Sequence, residues 1–64
     1  MKNLIKVERA RHNLTQADLA EKVDVSRQTI YAIENNKFNP SVILAIKMAR
    51  YFEVTVEYLF DIEE

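Results

Sequence analysis

The chain of 64 residues contains no glycine and no cysteine, and it has a single proline and a single histidine. Without cysteine there is no disulfide framework, and with His12 as the one imidazole a zinc site of nitrogen and sulfur ligands cannot be built. Without glycine the tight turns that close β-hairpins are disfavoured, whereas helices joined by short Asn- or Asp-containing connections remain available. These absences predict an all-α protein without a disulfide or zinc site. The sequence also carries no phosphate loop or cofactor fingerprint, so we expect no cofactor.

Hydrophobic runs are also short in this sequence. The longest uninterrupted apolar segment covers residues 42–46, far below the roughly 20 residues that span a bilayer. Residues 1–14 carry charges throughout, unlike a signal peptide. We therefore expect a protein without membrane contact, and the lack of cysteine fits the reducing cytoplasm.

The distribution of charge along the chain is more informative than the net charge. The net charge of −1 argues against a protein that coats nucleic acid indiscriminately. Residues 1–37 carry seven Lys or Arg against five Asp or Glu, whereas residues 38–64 carry two against five. A DNA-facing front and an acidic rear would produce this asymmetry, but so would chance, and charge alone does not assign a function.

The length predicts one domain, residues 1–64, because a second core would need roughly another 50 residues. So small a domain depends on good helix packing or on a partner subunit. Some apolar side chains exceed what one such core encloses: Ile43, Leu44, Tyr51, Tyr58, Phe60 and Ile62. An interface between two copies would bury them, and we assign that homodimer interface to Leu44, Tyr51, Tyr58, Phe60 and Ile62. The alternative is that they are scattered surface hydrophobes.

Apolar periodicity and capping residues predict five helices. The first three cover residues 4–12, 15–23 and 27–34, the fourth runs from the N-cap Ser41 to Phe52, and the last follows the N-cap Thr55. Thr15 and Asp18 form a capping-box-like pair at the start of the second helix, and Ser26 is the expected cap of the third. Asn3 is the expected N-cap of the first helix, and Asn13 is expected to end it. The inward stripe predicted for the fourth helix is Val42, Ala45, Ile46, Met48, Ala49 and Phe52. Residues beyond Phe60 are expected to pair as a short strand with residues 1–3.

The second and third predicted helices form the most specific pattern, a helix-turn-helix unit over residues 15–34. About three residues join them, so their axes must cross steeply. Apolar residues recur at the positions that fill such a crossing: Leu19, Val23, Val25, Ile30 and Ile33. Ala20 is small where the two backbones come closest. Asp24 occupies the turn position that usually requires glycine, and aspartate adopts the left-handed conformation at modest cost.

If Ile30 and Ile33 face inward, the opposite face of the third helix points outward. The candidates for reading DNA bases in the major groove are Arg27, Gln28, Thr29, Tyr31 and Ala32, since Arg pairs with guanine, Gln pairs with adenine, and methyl groups contact thymine. The candidates for binding phosphate are Gln16, Ser26, Asn36, Lys37 and Asn39. The alternative is that these residues form the solvated face of a short helix.

Four stretches of the chain resemble one known family. Thr-Gln-Ala-Asp-Leu-Ala at 15–20, Val-Ser-Arg-Gln-Thr-Ile at 25–30, Ile-Glu at 33–34 and Asn-Pro-Ser at 39–41 resemble the xenobiotic-response-element family of phage-repressor-like regulators. The resemblance covers essentially the whole chain. It implies a five-helix fold of the lambda-repressor-like type and a homodimer bound to a palindromic operator, without catalysis. It also implies that Gln16 contacts phosphate, that Arg27, Gln28 and Thr29 read bases, and that Arg9 pairs with Glu34.

The function expected from these residues is that of a sequence-specific transcriptional regulator with no small-molecule ligand. We expect a repressor that blocks polymerase, and the alternative is an activator that contacts it, because the chain alone does not choose between them. The alternative is an antitoxin-like module that binds a protein partner as well as DNA. Enzymatic activity is the least favoured of these functions. His12 is the single histidine and has no predicted catalytic partner, and the adjacent carboxylates of Glu63 and Glu64 have no cleft that would tune their pKa values.

Overall fold

The computed structural model describes residues 2–61, which form five α-helices and two short strands. The elements are β1 Lys2–Asn3, α1 Ile5–Arg11, α2 Gln16–Lys22, α3 Arg27–Glu34, α4 Val42–Phe52, α5 Val56–Leu59 and β2 Phe60–Asp61. The strands are antiparallel, with Lys2 opposite Asp61 and Asn3 opposite Phe60. The all-α prediction and the terminal strand pairing are confirmed. Met1 of the predicted pairing and Ile62 of the predicted dimer interface lie outside the described residues. Among residues 2–61, none of the helices has the length and hydrophobicity of a membrane-spanning segment.

Hydroxyl side chains begin four of the helices. Thr15 and Asp18 form a reciprocal capping box at α2, in which Thr15 Oγ1 accepts from the Asp18 backbone N–H and the Asp18 carboxylate accepts from the Thr15 N–H, each at 3.0 Å. The bond from the Thr15 backbone N–H holds the pKa of Asp18 below its ordinary value. The side-chain oxygens of Ser26, Ser41 and Thr55 cap α3, α4 and α5 by each accepting one backbone N–H, without the reciprocal bond. These caps lie where the sequence predicts them.

The start of α1 differs from the prediction by one residue. The N-cap is Leu4, whose side chain makes no capping hydrogen bond, rather than Asn3. Asn3 lies in β1, and its Oδ1 accepts a hydrogen bond of 3.3 Å from the Ile5 N–H. Pairing of Asn3 with Phe60 keeps its backbone extended, so the helix begins later.

Left-handed backbone conformations end or connect the helices of this glycine-free chain. Positive φ angles occur at Asn13 (60°), Asp24 (62°), Asn36 (58°) and Glu53 (58°). Asn and Asp visit this region at the lowest cost among residues other than glycine, which accounts for three of the four. Glu53, at the C-cap of α4, has no such preference, and the sequence does not predict it.

The core is one cluster to which every helix contributes. Its buried hydrophobic members are Ile5, Leu19, Ala20, Val23, Ile30, Ile33, Leu44, Ala45, Met48, Ala49, Phe52, Leu59 and Phe60. The predicted inward stripe of α4 is wrong at two positions, since Val42 is 76% exposed and Ile46 is 39% exposed. The apolar stripe is centred on Met48 and Phe52, so that Leu44 turns inward and the side of α4 bearing Val42, Ile43 and Ile46 faces outward.

The predicted dimer interface is also wrong in part. Leu44 and Phe60 are both buried in the core of a single chain. Tyr51 is half-buried against the same core. Tyr58 is 40% exposed, but its hydroxyl donates a 2.9 Å hydrogen bond to the carboxylate of Glu8, which is 2% exposed. This bond to Glu8 raises the pKa of Tyr58 above its ordinary value.

The left-handed Glu53 yields a stability prediction. A residue with a Cβ pays about 1–2 kcal/mol in this conformation, and glycine does not. We expect Glu53→Gly to raise the free energy of unfolding by about 0.5–1 kcal/mol, the gain being reduced by the flexibility of glycine in the unfolded chain. Urea unfolding followed by circular dichroism measures it. The matched control is Glu57→Gly within α5, which should lower the same free energy by about 1 kcal/mol; equal losses for both variants would contradict the explanation.

Candidate nucleic-acid interface

The corner between α2 and α3 fixes the orientation of α3. Residues 23–26 connect the two helices, and Val25 N–H donates to the Ala20 carbonyl at 2.9 Å while Asp24 takes its left-handed conformation. The residues predicted to fill the corner do so. Leu19, Ala20, Val23, Ile30 and Ile33 are buried, and Val25 packs half-buried against them. Burial of one side of α3 leaves its other side at the surface.

The outer side of α3 carries the residues that the sequence assigns to base reading. Arg27, Gln28 and Tyr31 are exposed, whereas Thr29 and Ala32 are half-buried. Ser26 Oγ accepts from the Thr29 N–H at 3.2 Å and lies 3.0 Å from Thr29 Oγ1, so both hydroxyls are engaged at the helix N-terminus. Within residues 2–61, no hydrogen bond engages the side chains of Arg27 or Gln28. These two side chains are therefore available to an external partner.

A polar network joins α1, α2 and α3 beside this surface. The Arg9 guanidinium donates to both Glu34 carboxylate oxygens, at 2.6 Å from Nε and 3.1 Å from Nη2, and its Nη1 donates to the Leu14 carbonyl at 2.9 Å. Gln16 Nε2 donates to Glu34 Oε1 at 3.1 Å. The side chains of Arg9 and Glu34 are only 14% and 7% exposed. Glu34 thus accepts from two other helices at once.

The hydrogen bond from Gln16 to Glu34 sets the orientation of the Gln16 amide. An amide nitrogen of glutamine carries two N–H donors, and the carboxylate accepts one of them. The bond therefore orients the Gln16 side chain with its amide nitrogen towards Glu34. The second N–H of that nitrogen remains available to an anionic acceptor. Sequence reasoning assigned Gln16 to phosphate and Glu34 to Arg9, but it missed the contact between Gln16 and Glu34, which only the tertiary fold creates.

A polar depression adjoins this network, between α1 and α3. Its lining residues are Asn3, Lys6, Arg9, Gln16, Tyr31, Glu34 and Asn35. Lys6 is exposed and was not among the predicted phosphate-binding residues. It lies three residues before Arg9 on the same face of α1, and that helical spacing is the signal that could have found it.

The segment after α3 borders the other side of the candidate interface. Asn36 takes a left-handed conformation, and the Lys37 N–H donates to the Ala32 carbonyl at 2.8 Å, which folds the chain back along α3. Asn36, Lys37 and Asn39 are exposed, as residues for an external partner must be. Lys37 Nζ lies 6.0 Å from the centre of the Tyr31 ring. Phe38, which the sequence analysis did not single out, is 52% exposed.

His12 lies away from this surface and has a structural environment. Its Nδ1 is 3.0 Å from the Glu8 carbonyl oxygen, and its ring centre is 5.1 Å from that of Phe52. Within residues 2–61, no group of three His, Cys, Asp or Glu side chains converges as metal ligands do.

Comparisons with known proteins agree with this geometry. A family model described as helix-turn-helix matches residues 5–59. An uncharacterized HTH-type transcriptional regulator of Methanocaldococcus jannaschii is 56% identical over 64 residues, covering 100% of this chain and 97% of the relative. One from Archaeoglobus fulgidus is 47% identical over 66 residues, covering 100% and 93%. The uncharacterized HTH-type transcriptional regulator YgzD of Bacillus subtilis is 44% identical over 64 residues, covering 100% and 97%.

The network around Glu34 predicts strong coupling between two residues. Glu34→Leu alone leaves the largely buried Arg9 guanidinium without its carboxylate partner, and Arg9→Met alone leaves the Glu34 carboxylate with a neutral amide. Each change should lower the free energy of unfolding by about 3 kcal/mol in urea titrations, because it leaves a poorly paired buried charge. The double variant should lose clearly less than the sum of the two. Additive losses would show that the ion pair does not couple α1 to α3. Arg50→Ala, on the exposed face of α4, serves as a control with a change within about 0.5 kcal/mol.

Proposed function

The chain belongs to the helix-turn-helix family, and on that premise we propose that it is a transcriptional regulator that reads operator DNA with α3. The observation that carries the proposal is the pair of exposed side chains, Arg27 and Gln28, at the N-terminal end of α3. The other side of that helix is fixed by the buried corner. In helix-turn-helix proteins the N-terminal residues of the second helix of the unit contact base edges in the major groove. Within the family we assign the chain to the xenobiotic-response-element group, on the motifs in residues 15–41.

The side chains that read bases directly are those whose hydrogen-bond donors and acceptors have no partner within the described residues. Gln28 forms a bidentate pair with adenine, and Arg27 forms one with guanine or a single contact with phosphate. Tyr31 and Ala32, one turn further along α3, contact base edges or sugars. Thr29 contributes mainly its methyl group, because its hydroxyl is engaged with Ser26.

Contacts with phosphate flank α3 on both sides. Gln16, oriented by Glu34, donates its remaining amide N–H to one strand, and Lys6 adds a positive charge beside it. Asn36, Lys37 and Asn39 bind the backbone on the other side, where they are exposed. Ser26 binds phosphate through the N-terminus of α3 that it caps. Such contacts set the position of α3 in the groove and carry no sequence information themselves.

The protein acts as a homodimer on a palindromic operator and represses by occluding polymerase. The interface that we now assign differs from the one expected from sequence, because Leu44 and Phe60 are in the core. The outward side of α4 offers Val42 at 76% exposure, Ile43 at 69% and Ile46 at 39%. Beside it lies an apolar groove of about 300 Å³, lined by Asn39, Pro40, Ser41, Val42, Ala45, Ile46, Val56 and Phe60. A second copy related by a two-fold axis covers this surface and brings its own α3 to the next major groove, about 34 Å away.

Selection of bound duplexes from a random pool tests the function. We expect recovery of a short inverted repeat with half-site centres about 10 base pairs apart. On that site Gln28→Ala should lose about 1–3 kcal/mol of binding free energy and relax the preference at one base pair. The matched variant Lys37→Ala should instead weaken binding to all sequences and reduce its salt dependence. Fluorescence anisotropy at several salt concentrations measures both, and equal loss on every sequence for Gln28→Ala would exclude base reading by that residue.

Val42→Glu tests the dimer interface. The side chain is mostly solvent-exposed in the single chain, and an acidic residue in the first turn of a helix is compatible with the helix dipole, so the subunit should still fold. Burying that carboxylate against a second copy should weaken self-association at least about tenfold in sedimentation equilibrium. Val7→Glu, at a 47% exposed apolar site on α1, is the matched control and should leave association unchanged. Dimerisation that survives Val42→Glu would exclude this face.

A further inference from the structure

A shallow depression lies on the outer surface of α3, beside the residues assigned to base reading. Its lining residues are Gln28, Thr29, Ala32, Lys37 and Phe38. The first three share one face of α3, since Gln28 and Ala32 are one turn apart and Thr29 lies three residues before Ala32. The other two come from the segment after the helix, so α3 forms one wall of the depression and this segment forms the other.

The backbone explains why Phe38 forms its outer wall. Asn36 turns in the left-handed conformation and the Lys37 N–H donates to the Ala32 carbonyl, which directs the following residue alongside Ala32. Phe38 is 52% exposed and is not part of the hydrophobic core cluster. Its aromatic ring therefore buries little apolar surface within the subunit. Ala32, the smallest side chain on this face, leaves the space in front of it open.

We propose that this depression receives the 5-methyl group of a thymine, with Phe38 as a specificity-determining residue outside α3. The inference rests on the proposed function, since it concerns the same DNA surface. The 5-methyl group of thymine is the apolar feature of base-pair edges in the major groove. The walls available to it here are the Thr29 and Ala32 methyl groups and the Phe38 ring.

The polar residues of the depression favour the same occupant. The Gln28 amide at one edge is free to pair with an adenine next to the thymine. Lys37 at the other edge supplies a cation for the phosphate backbone, and no acidic residue is among the lining side chains. An apolar site bordered by an amide and a cation fits nucleic acid better than it fits the apolar face of a second copy, and α4 already offers that copy a larger surface.

The test replaces the thymines of one half-site of a selected operator, one at a time, with deoxyuridine. The replacement removes the methyl group and preserves base pairing. For the wild-type protein we expect one position at which affinity falls about fourfold, the effect of burying one methyl group. Phe38→Ala should bind the thymine duplex more weakly and show no further loss on the deoxyuridine duplex. Phe38→Leu, which restores an apolar wall, should regain the sensitivity, and Val7→Ala should leave it unchanged.

Ala32→Leu provides a second variant that does not depend on the fold tolerating a change at Phe38. Leucine favours helix and fills the depression, so sensitivity to the methyl group should be lost. Wild-type protein that binds thymine and deoxyuridine equally at every position, or Phe38→Ala that keeps the full sensitivity, would overturn the inference while leaving the proposed function intact. Phe38→Ala that dissociates the dimer would assign the depression to a second copy and would overturn it too. Failure to select any DNA sequence would instead overturn the proposed function.

Discussion

The structure depends on one close approach, that of α3 to α2 at the corner centred on Ala20. A larger side chain there would separate the helices, and a residue unable to turn at position 24 would misdirect the chain between them. Asp24 meets the second requirement with φ of 62°, at the cost that a left-handed conformation imposes on any residue with a Cβ. Because Leu19, Val23, Ile30 and Ile33 are buried in the same corner, the hydrophobic effect offsets that cost. The orientation of the exposed side of α3 is thus set by contacts on its buried side.

A second constraint complements the corner. Glu34 sits at the last turn of α3, where the helix dipole disfavours an acid, and its largely buried carboxylate would be costly without partners. Arg9 supplies charge and two hydrogen bonds, while Gln16 supplies a third. The corner fixes α3 against α2, and this network fixes both against α1. The amide that we assign to phosphate is therefore held by the same carboxylate that braces the helix we assign to base reading.

Local signals account for what the sequence predicted well. The capping box of Thr15 and Asp18, the left-handed Asn13 and the bounds of α3 each depend on residues close together in the chain, and all agree with the structure. The phase of the α4 stripe does not agree, because packing of α4 in the folded chain buries Leu44 and leaves Val42 and Ile46 outside, and the helix alone cannot specify that choice.

Dependence on contacts between distant elements also explains which features the sequence did not reveal. Phe38 joins the candidate interface only through the fold of the segment that follows α3, and the bond between Gln16 and Glu34 spans 18 residues. Glu53 carries no local signal for its left-handed conformation. These features arise where contacts between elements override local preference, so they become visible only when the packed chain is known.

The segment that joins α3 to α4 links the two proposed surfaces. It begins with Lys37 and Phe38 beside the residues that we assign to base reading, and it ends at Pro40, which lines the apolar groove of the proposed dimer interface. Only a few residues therefore separate the proposed DNA surface from the proposed dimer interface. A short connection with a proline transmits position rigidly, because proline restricts both its own φ and the residue before it. In the proposed dimer, the distance between the two α3 helices would be set by the same residues that complete the proposed surface for each half-site. One continuous segment of the chain would then recognise both the sequence and the spacing of the half-sites.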